Sequence, residues 1–142
     1  MPSIDFQKFD RGVFVVNLLA IIYDQKRKKI LVGRRENDPN IPELSWCFPG
    51  GRPGYTDDLE QFLAKEVKKK TGLGVKVKNV VFAKTYPEKR EFLSIYYLCD
   101  PFEGMERAGE SFKEIKWINP PEVTNYFTTS IHSKITDFLK VL

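Results

Sequence analysis

WCFPGGRPGYTDDLEQFLAKEVKKKTGL, residues Trp46 to Leu73, is the stretch whose reading decides the fold. A short apolar run, Ser45 to Phe48, enters Pro49-Gly50-Gly51, where two glycines let the backbone turn sharply and approach an anion closely. Beyond the turn, Leu59, Phe62, Leu63 and Val67 recur at helical spacing and define one apolar face. Thr56 is placed to cap this helix and Gly72 to end it. Asp57 and Asp58 sit at the positive helix start and Lys68, Lys69 and Lys70 at the negative end, so the charges follow the helix dipole.

Working outward, Gly12 to Tyr23 reads as a long, mostly buried strand because Val, Ile, Leu and Phe run almost without break. Asp24 to Lys29 is a charged turn, and Ile30-Leu31-Val32 begins a second strand that gives way to a loop across Arg34 to Pro39. After the helix, Val75 to Thr85 and Glu91 to Leu98 read as strands joined by a charged turn at Tyr86 to Arg90. A glycine-containing loop at Glu103 to Glu110 precedes a last strand, Phe112 to Ile118, which Pro120-Pro121 breaks. Ile131, Ile135, Phe138 and Leu139 give the tail, Glu122 to Leu142, helical spacing. The order strands, helix, strands, helix predicts a single α/β domain over residues 1–142, with one mixed sheet flanked by helices.

The stretch resembles the Nudix box, in which a glycine is followed after five residues by a glutamate and after seven more by Arg-Glu, an apolar residue, two adjacent glutamates and Gly-apolar. Here the glycine is Gly51, the acid is Asp57, the pair is Lys65-Glu66, the apolar slot is Val67 and the ending is Gly72-Leu73. The two adjacent glutamates fall on Lys69 and Lys70. The resemblance covers nearly the whole chain and implies a Nudix-type α/β/α sandwich. It also implies that Asp57 and Lys65 brace the loop against the helix, and that Gly50 (through its carbonyl) and Glu66 are what remains of a magnesium or manganese site. Magnesium takes oxygen ligands, whereas an ammonium offers only donors, so conventional diphosphate hydrolysis is expected to be weak or lost.

Two chemical readings of the lysines stand side by side. Glu66 precedes Lys69 and Lys70 by three and four residues, the spacing of intrahelical ion pairs on a solvated face. Alternatively the lysines meet phosphate directly, as lysine readily does. Gly50, Gly51, Arg52, Lys69 and Lys70 would then bind a nucleotide or another phosphate-containing ligand, with Arg34, Arg35, Lys84, Lys89 and Arg90 adding charge if they converge. A divergent hydrolase would instead place its cation with Glu66 and the Gly50 carbonyl, and draw a further catalytic acid from Glu110 or Glu114. Gly50-Gly51-Arg52, following Val32-Gly33-Arg34-Arg35, is also similar to the GDP-mannose mannosyl hydrolases. That branch needs a glutamate where Lys70 stands and a histidine where Phe112 stands, so its activity does not carry over. His132 reads as a structural or surface residue rather than a base.

Composition bounds the rest. With 142 residues, 42% hydrophobic and 30% charged, the chain can bury one domain-sized core. Its longest apolar stretch, Val13 to Tyr23, is interrupted by Asn17 and falls short of the roughly 20 residues of a membrane span. Met1 to Asp10 does not resemble a signal peptide. Cys47 and Cys99 stand alone in apolar segments, as thiols of a reducing, cytoplasmic setting do. A net charge of +4 favours small anionic ligands without pointing to nucleic acid, and the first strand and apolar tail leave room for a homodimer.

Overall fold

The computed structural model describes residues 11–36, 45–128 and 131–142. Strands β1 (Val15–Asp24) and β2 (Lys29–Arg34) form an antiparallel hairpin, followed by the short strands β3 (Trp46–Cys47) and β4 (Gly50–Gly51). Helix α1 (Leu59–Thr71) leads into a long hairpin of β5 (Gly74–Tyr86) and β6 (Lys89–Glu103), then β7 (Glu114–Ile118). A 3-10 turn (Pro120–Glu122) and the helices α2 (Val123–Tyr126) and α3 (Ser133–Lys140) close the chain. Among the described residues the sheet has seven strands, with β3-β2-β1-β6-β5 as its main path, β4 beside β1 and β7 beside β2. Its β1–β6 pair is parallel and the others antiparallel, so the sheet is mixed as expected.

Strand alternation divides the core between two faces. Leu18, Ala20 and Ile22 of β1, Leu31 of β2 and Tyr97 and Cys99 of β6 pack with Leu63 and Val67 of α1. The neighbouring residues Ile21, Ile30, Val32 and Tyr96 turn the other way and pack with Val123, Ile135 and Leu139. A fully buried leucine or isoleucine contributes roughly 1.5–3 kcal/mol of transfer free energy, which is why β1 is apolar on both sides. Among the described residues no helix is long and apolar enough to cross a membrane.

Several boundaries differ from those expected. Asp58, not Thr56, caps α1: its backbone is extended and its side chain accepts the Gln61 amide at 3.0 Å. A cap must sit immediately before the first helical residue, here Leu59, and Thr56 lies too early. Gly72 does end the helix, at φ 77°. Strands β5 and β6 run past their expected ends because backbone pairing at Gly74↔Glu103 and Tyr86↔Lys89 recruits residues with no strand-like pattern. The final strand starts at Glu114, and Phe112 instead buries its ring over Gly33. Helical structure in the tail is split into α2 and α3, with Phe127 extended after α2. The turn signals at Asn37 to Pro39 lie outside the described residues.

Candidate functional site

The Pro49-Gly50-Gly51 turn is fastened to the centre of the sheet. Gly50 and Gly51 pair antiparallel with Leu19 and Leu18 of β1, and the Ala20 amide donates to the Pro49 carbonyl at 2.8 Å. A Cβ on Gly50 would overlap the Leu18 carbonyl oxygen, so only glycine fits this approach. Gly51 faces α1, where an added Cβ would stand 3.1 Å from Glu66 Cγ.

Two lysine ammoniums converge on the Glu66 carboxylate. Lys69 Nζ lies 3.6 Å from Glu66 Oε1, with a side chain 58% exposed. Lys70 Nζ lies 3.5 Å from Glu66 Oε2 and also donates to the Gly50 carbonyl; its side chain is 12% exposed and that of Glu66 13%. The i,i+3 and i,i+4 spacing sets up both pairs, but the Gly50 contact depends on the β4–β1 register. Among the described residues Asp57 forms no ion pair with Lys65; its carboxylate accepts the Gly54 amide at 2.7 Å and closes the loop on itself.

The loop after β6 covers the end of α1. Arg107 N donates to Thr71 O at 2.8 Å, Gly109 N to Lys70 O at 2.9 Å and Glu110 N to Lys69 O at 3.2 Å. The last carbonyls of a helix have no intrahelical donors, and here the loop supplies them. Glu110 is thereby anchored at the turn carrying both lysines. Glu114 is not brought there: it pairs across strands with Arg34 at 3.2 Å, and alternation with the buried Ile118 puts it on the sheet face opposite α1. Arg34 is shared with Glu36 at 2.9 Å; these two partners, Glu36 first, hold its pKa above the usual arginine value.

On that opposite face, Arg52 extends from the turn to donate to Asn17 Oδ1 at 3.1 Å, with its guanidinium 5.3 Å from the centre of the Phe92 ring. Lys89 Nζ lies 4.7 Å from the same ring, and Lys84 Nζ lies 4.2 Å from the centre of the Tyr86 ring. Burial pulls the Lys84 pKa below the usual lysine range, with Glu88 opposing it. The Tyr86 hydroxyl contacts Ser94 Oγ at 2.8 Å and the Tyr96 hydroxyl at 3.4 Å, and burial pushes the Tyr96 phenol well up. Arg52 and Lys89 thus share the Phe92 ring and Lys84 stands at the Tyr86 ring, while Arg90 turns to Thr85 at 3.4 Å. The sequence reading did not single out Asn17 as a partner of Arg52, although a lone polar residue inside an apolar strand was the available signal. Nothing in the pattern marked the hydroxyl cluster, since tyrosines serve equally well in a core. His132 caps α3, accepting the Lys134 amide at 3.1 Å.

The NUDIX domain family model matches residues 13–139. The chain belongs to the NUDIX domain family. It is 30% identical over 100 residues to the ADP-ribose pyrophosphatase of Methanocaldococcus jannaschii, an alignment covering 67% of this chain but 57% of that protein. A MutT-like protein of Streptomyces ambofaciens is 23% identical over 126 residues, covering 87% of this chain and 76% of the relative. Among solved structures, a NUDIX hydrolase from Nitrosomonas europaea superposes with a TM-score of 0.75 at 16% identity, over 92% of this chain and 72% of its own. The MutT protein from Methanosarcina mazei Go1 gives 0.68 at 18% identity, over 92% and 93%. At these identities the structural likeness shows the fold.

Nudix hydrolases generally use divalent metals such as magnesium or manganese. The residues present here do not fit such an ion at the box helix. Glu66 and the Gly50 carbonyl, the oxygens that would receive it, are both engaged by the Lys70 ammonium. Among the described residues no group of three or more His, Cys, Asp or Glu side chains comes together to replace them. At about 4 Å and an effective dielectric near 20, an ammonium and a divalent ion repel by roughly 8 kcal/mol.

Proposed function

We propose that this NUDIX protein binds a nucleotide or other phosphate-containing ligand, and that conventional magnesium-dependent diphosphate hydrolysis in it is weak or lost. One observation carries the reading: Glu66, the glutamate that the box retains, is shared between the Lys69 and Lys70 ammoniums beside the Gly50–Gly51 turn. Two cations against one anion leave a local positive surplus where lysine can act as a phosphate point charge. In this reading Gly50, Gly51 and Lys69, backed by Lys70, face the phosphate on the α1 side of the turn, while Arg52 leaves the turn on the opposite sheet face toward Asn17 and the buried Phe92. The Nudix family binds nucleotide-containing substrates, which favours a nucleotide over a simple anion. Neither Cys47 nor Cys99 is in a disulfide, in keeping with a reducing cytoplasm.

The competing reading is a divergent hydrolase of a nucleoside diphosphate linked to another moiety. The anchoring of Glu110 to the Lys69 carbonyl favours it, as does the name of the archaeal relative. A release assay separates the two, run on nucleoside triphosphates, nucleotide sugars and dinucleotides with magnesium, manganese or chelator. The binding reading expects no turnover, together with thermal stabilisation by a nucleotide in chelator. Metal-dependent product that disappears in Glu66→Gln would overturn it in favour of the enzyme.

A further inference from the structure

Lys69 and Lys70 are adjacent in sequence but occupy different environments. The Lys69 side chain reaches outward, more than half exposed, and pairs with Glu66 Oε1. Lys70 turns inward, largely enclosed, with its charge between a backbone carbonyl on the sheet and a carboxylate on the helix. A carbonyl oxygen paired with a carboxylate is the hard-oxygen donor set that magnesium-like ions select. The ammonium therefore holds a cation position, joins α1 to the turn across it, and cannot leave because it is part of the chain.

We propose that Lys70 is a tethered cation standing permanently in place of a divalent ion, and that Lys69 is the lysine left free to meet the ligand. The assignment deepens the binding reading and rests on it for the role of Lys69 alone. With Lys70 in place, Glu66 and Gly50 stay assembled without metal, so neither chelators nor metal supply regulate the site. Replacing the ammonium by a carboxylate turns the same position into a third oxygen ligand and opens a metal site.

The test uses the full chain without nucleotide. Wild type, Lys70→Glu, Lys70→Ala and the double variant Lys70→Glu/Glu66→Gln are titrated with manganese, following loss of the free-ion signal by electron paramagnetic resonance and following thermal unfolding. Wild type is expected to leave the manganese signal and the Tm unchanged. Lys70→Glu is expected to take up one ion and to gain roughly 5–10 °C at about a hundredfold excess over its Kd, a gain lost in the double variant. Lys70→Ala is expected to unfold at a lower temperature than wild type in metal-free buffer and to bind manganese more weakly than Lys70→Glu. Glu66-dependent uptake of manganese by wild type would overturn the proposal, and so would a folded Lys70→Glu that binds no more manganese than wild type. Should Lys70→Glu fail to fold, the wild-type titration against Glu66→Gln and the melting of Lys70→Ala still decide. In a parallel arm, Lys69→Ala is expected to weaken chelator-resistant nucleotide binding at least about tenfold with an unchanged Tm. If wild type binds no nucleotide the binding reading fails, while the manganese results stand by themselves.

Discussion

Cys99 carries a pH signature that a single substitution can isolate. It is fully buried against α1, and its thiol is pushed up from 9.0 to about 12, first by burial and then by the charges of Asp100 and Glu60. A folded pKa raised above the unfolded value contributes stability that is fully present below about pH 9 and is lost as the pH rises toward 12. The loss amounts to roughly 1.4 kcal/mol per pH unit. Melting curves between those limits should fall less steeply for Cys99→Ala than for wild type; Tyr96 and Tyr97, also raised by burial, are common to both proteins. Gly50→Ala tests a steric demand instead. Its methyl group would press on the Leu18 carbonyl and should lower stability by roughly 3 kcal/mol or more in denaturant titration. The demand for glycine at this turn could be read from the sequence. The inward turn of Lys70 could not, because the oxygen a lysine stem finds depends on how β4 registers against β1, some thirty residues away in sequence.

At the scale of elements, α1 was the most legible part of the molecule. Leu63 and Val67 are fully buried as the periodicity required and Phe62 is partly buried, but Leu59 at the helix start stays exposed; Gly72 stops the helix. The cap was misplaced because Thr56, Asp57 and Asp58 are all good capping residues, and only the geometry shows Asp57 spent on Gly54. Asp58→Ala should therefore cost about 1 kcal/mol in equilibrium unfolding, and Thr56→Ala less than about 0.5. The docking of the loop onto the helix end was not legible, since its hydrogen bonds come from backbone amides that carry no side-chain pattern. A Cβ on Gly109 would overlap the Lys69 carbonyl, so the closeness of that contact also rests on glycine.

The whole molecule is a sheet packed by helices on both faces, and the long apolar runs of β1 and β2 announced that from the start. Leu63 on one face and Ile135 on the other are both fully buried. Replacing either by alanine should cost roughly 2–5 kcal/mol. Fluorescence and circular dichroism should still follow one shared transition, since both cores rest on the same strands. The placing of Arg52 and Lys89 at Phe92, and of Lys84 at Tyr86 beside Ser94, belongs to this scale too. It follows from the parallel pairing of β1 with β6 and the antiparallel pairing of β6 with β5, partnerships that no local window of sequence specifies.

The loop that covers the end of α1 has a consequence in time. A surface segment without regular structure ordinarily trades its amide protons for deuterium quickly, as fraying regions do. The amides of Arg107, Gly109 and Glu110 are bound to Thr71, Lys70 and Lys69, so they should exchange at the pace of the helix rather than of a loop. Slow exchange at these three positions, and its acceleration together with the last turn of α1 in Gly109→Ala, would mark loop and helix end as one cooperative unit. The two box lysines would then be held in place by a segment nearly forty residues further along the chain.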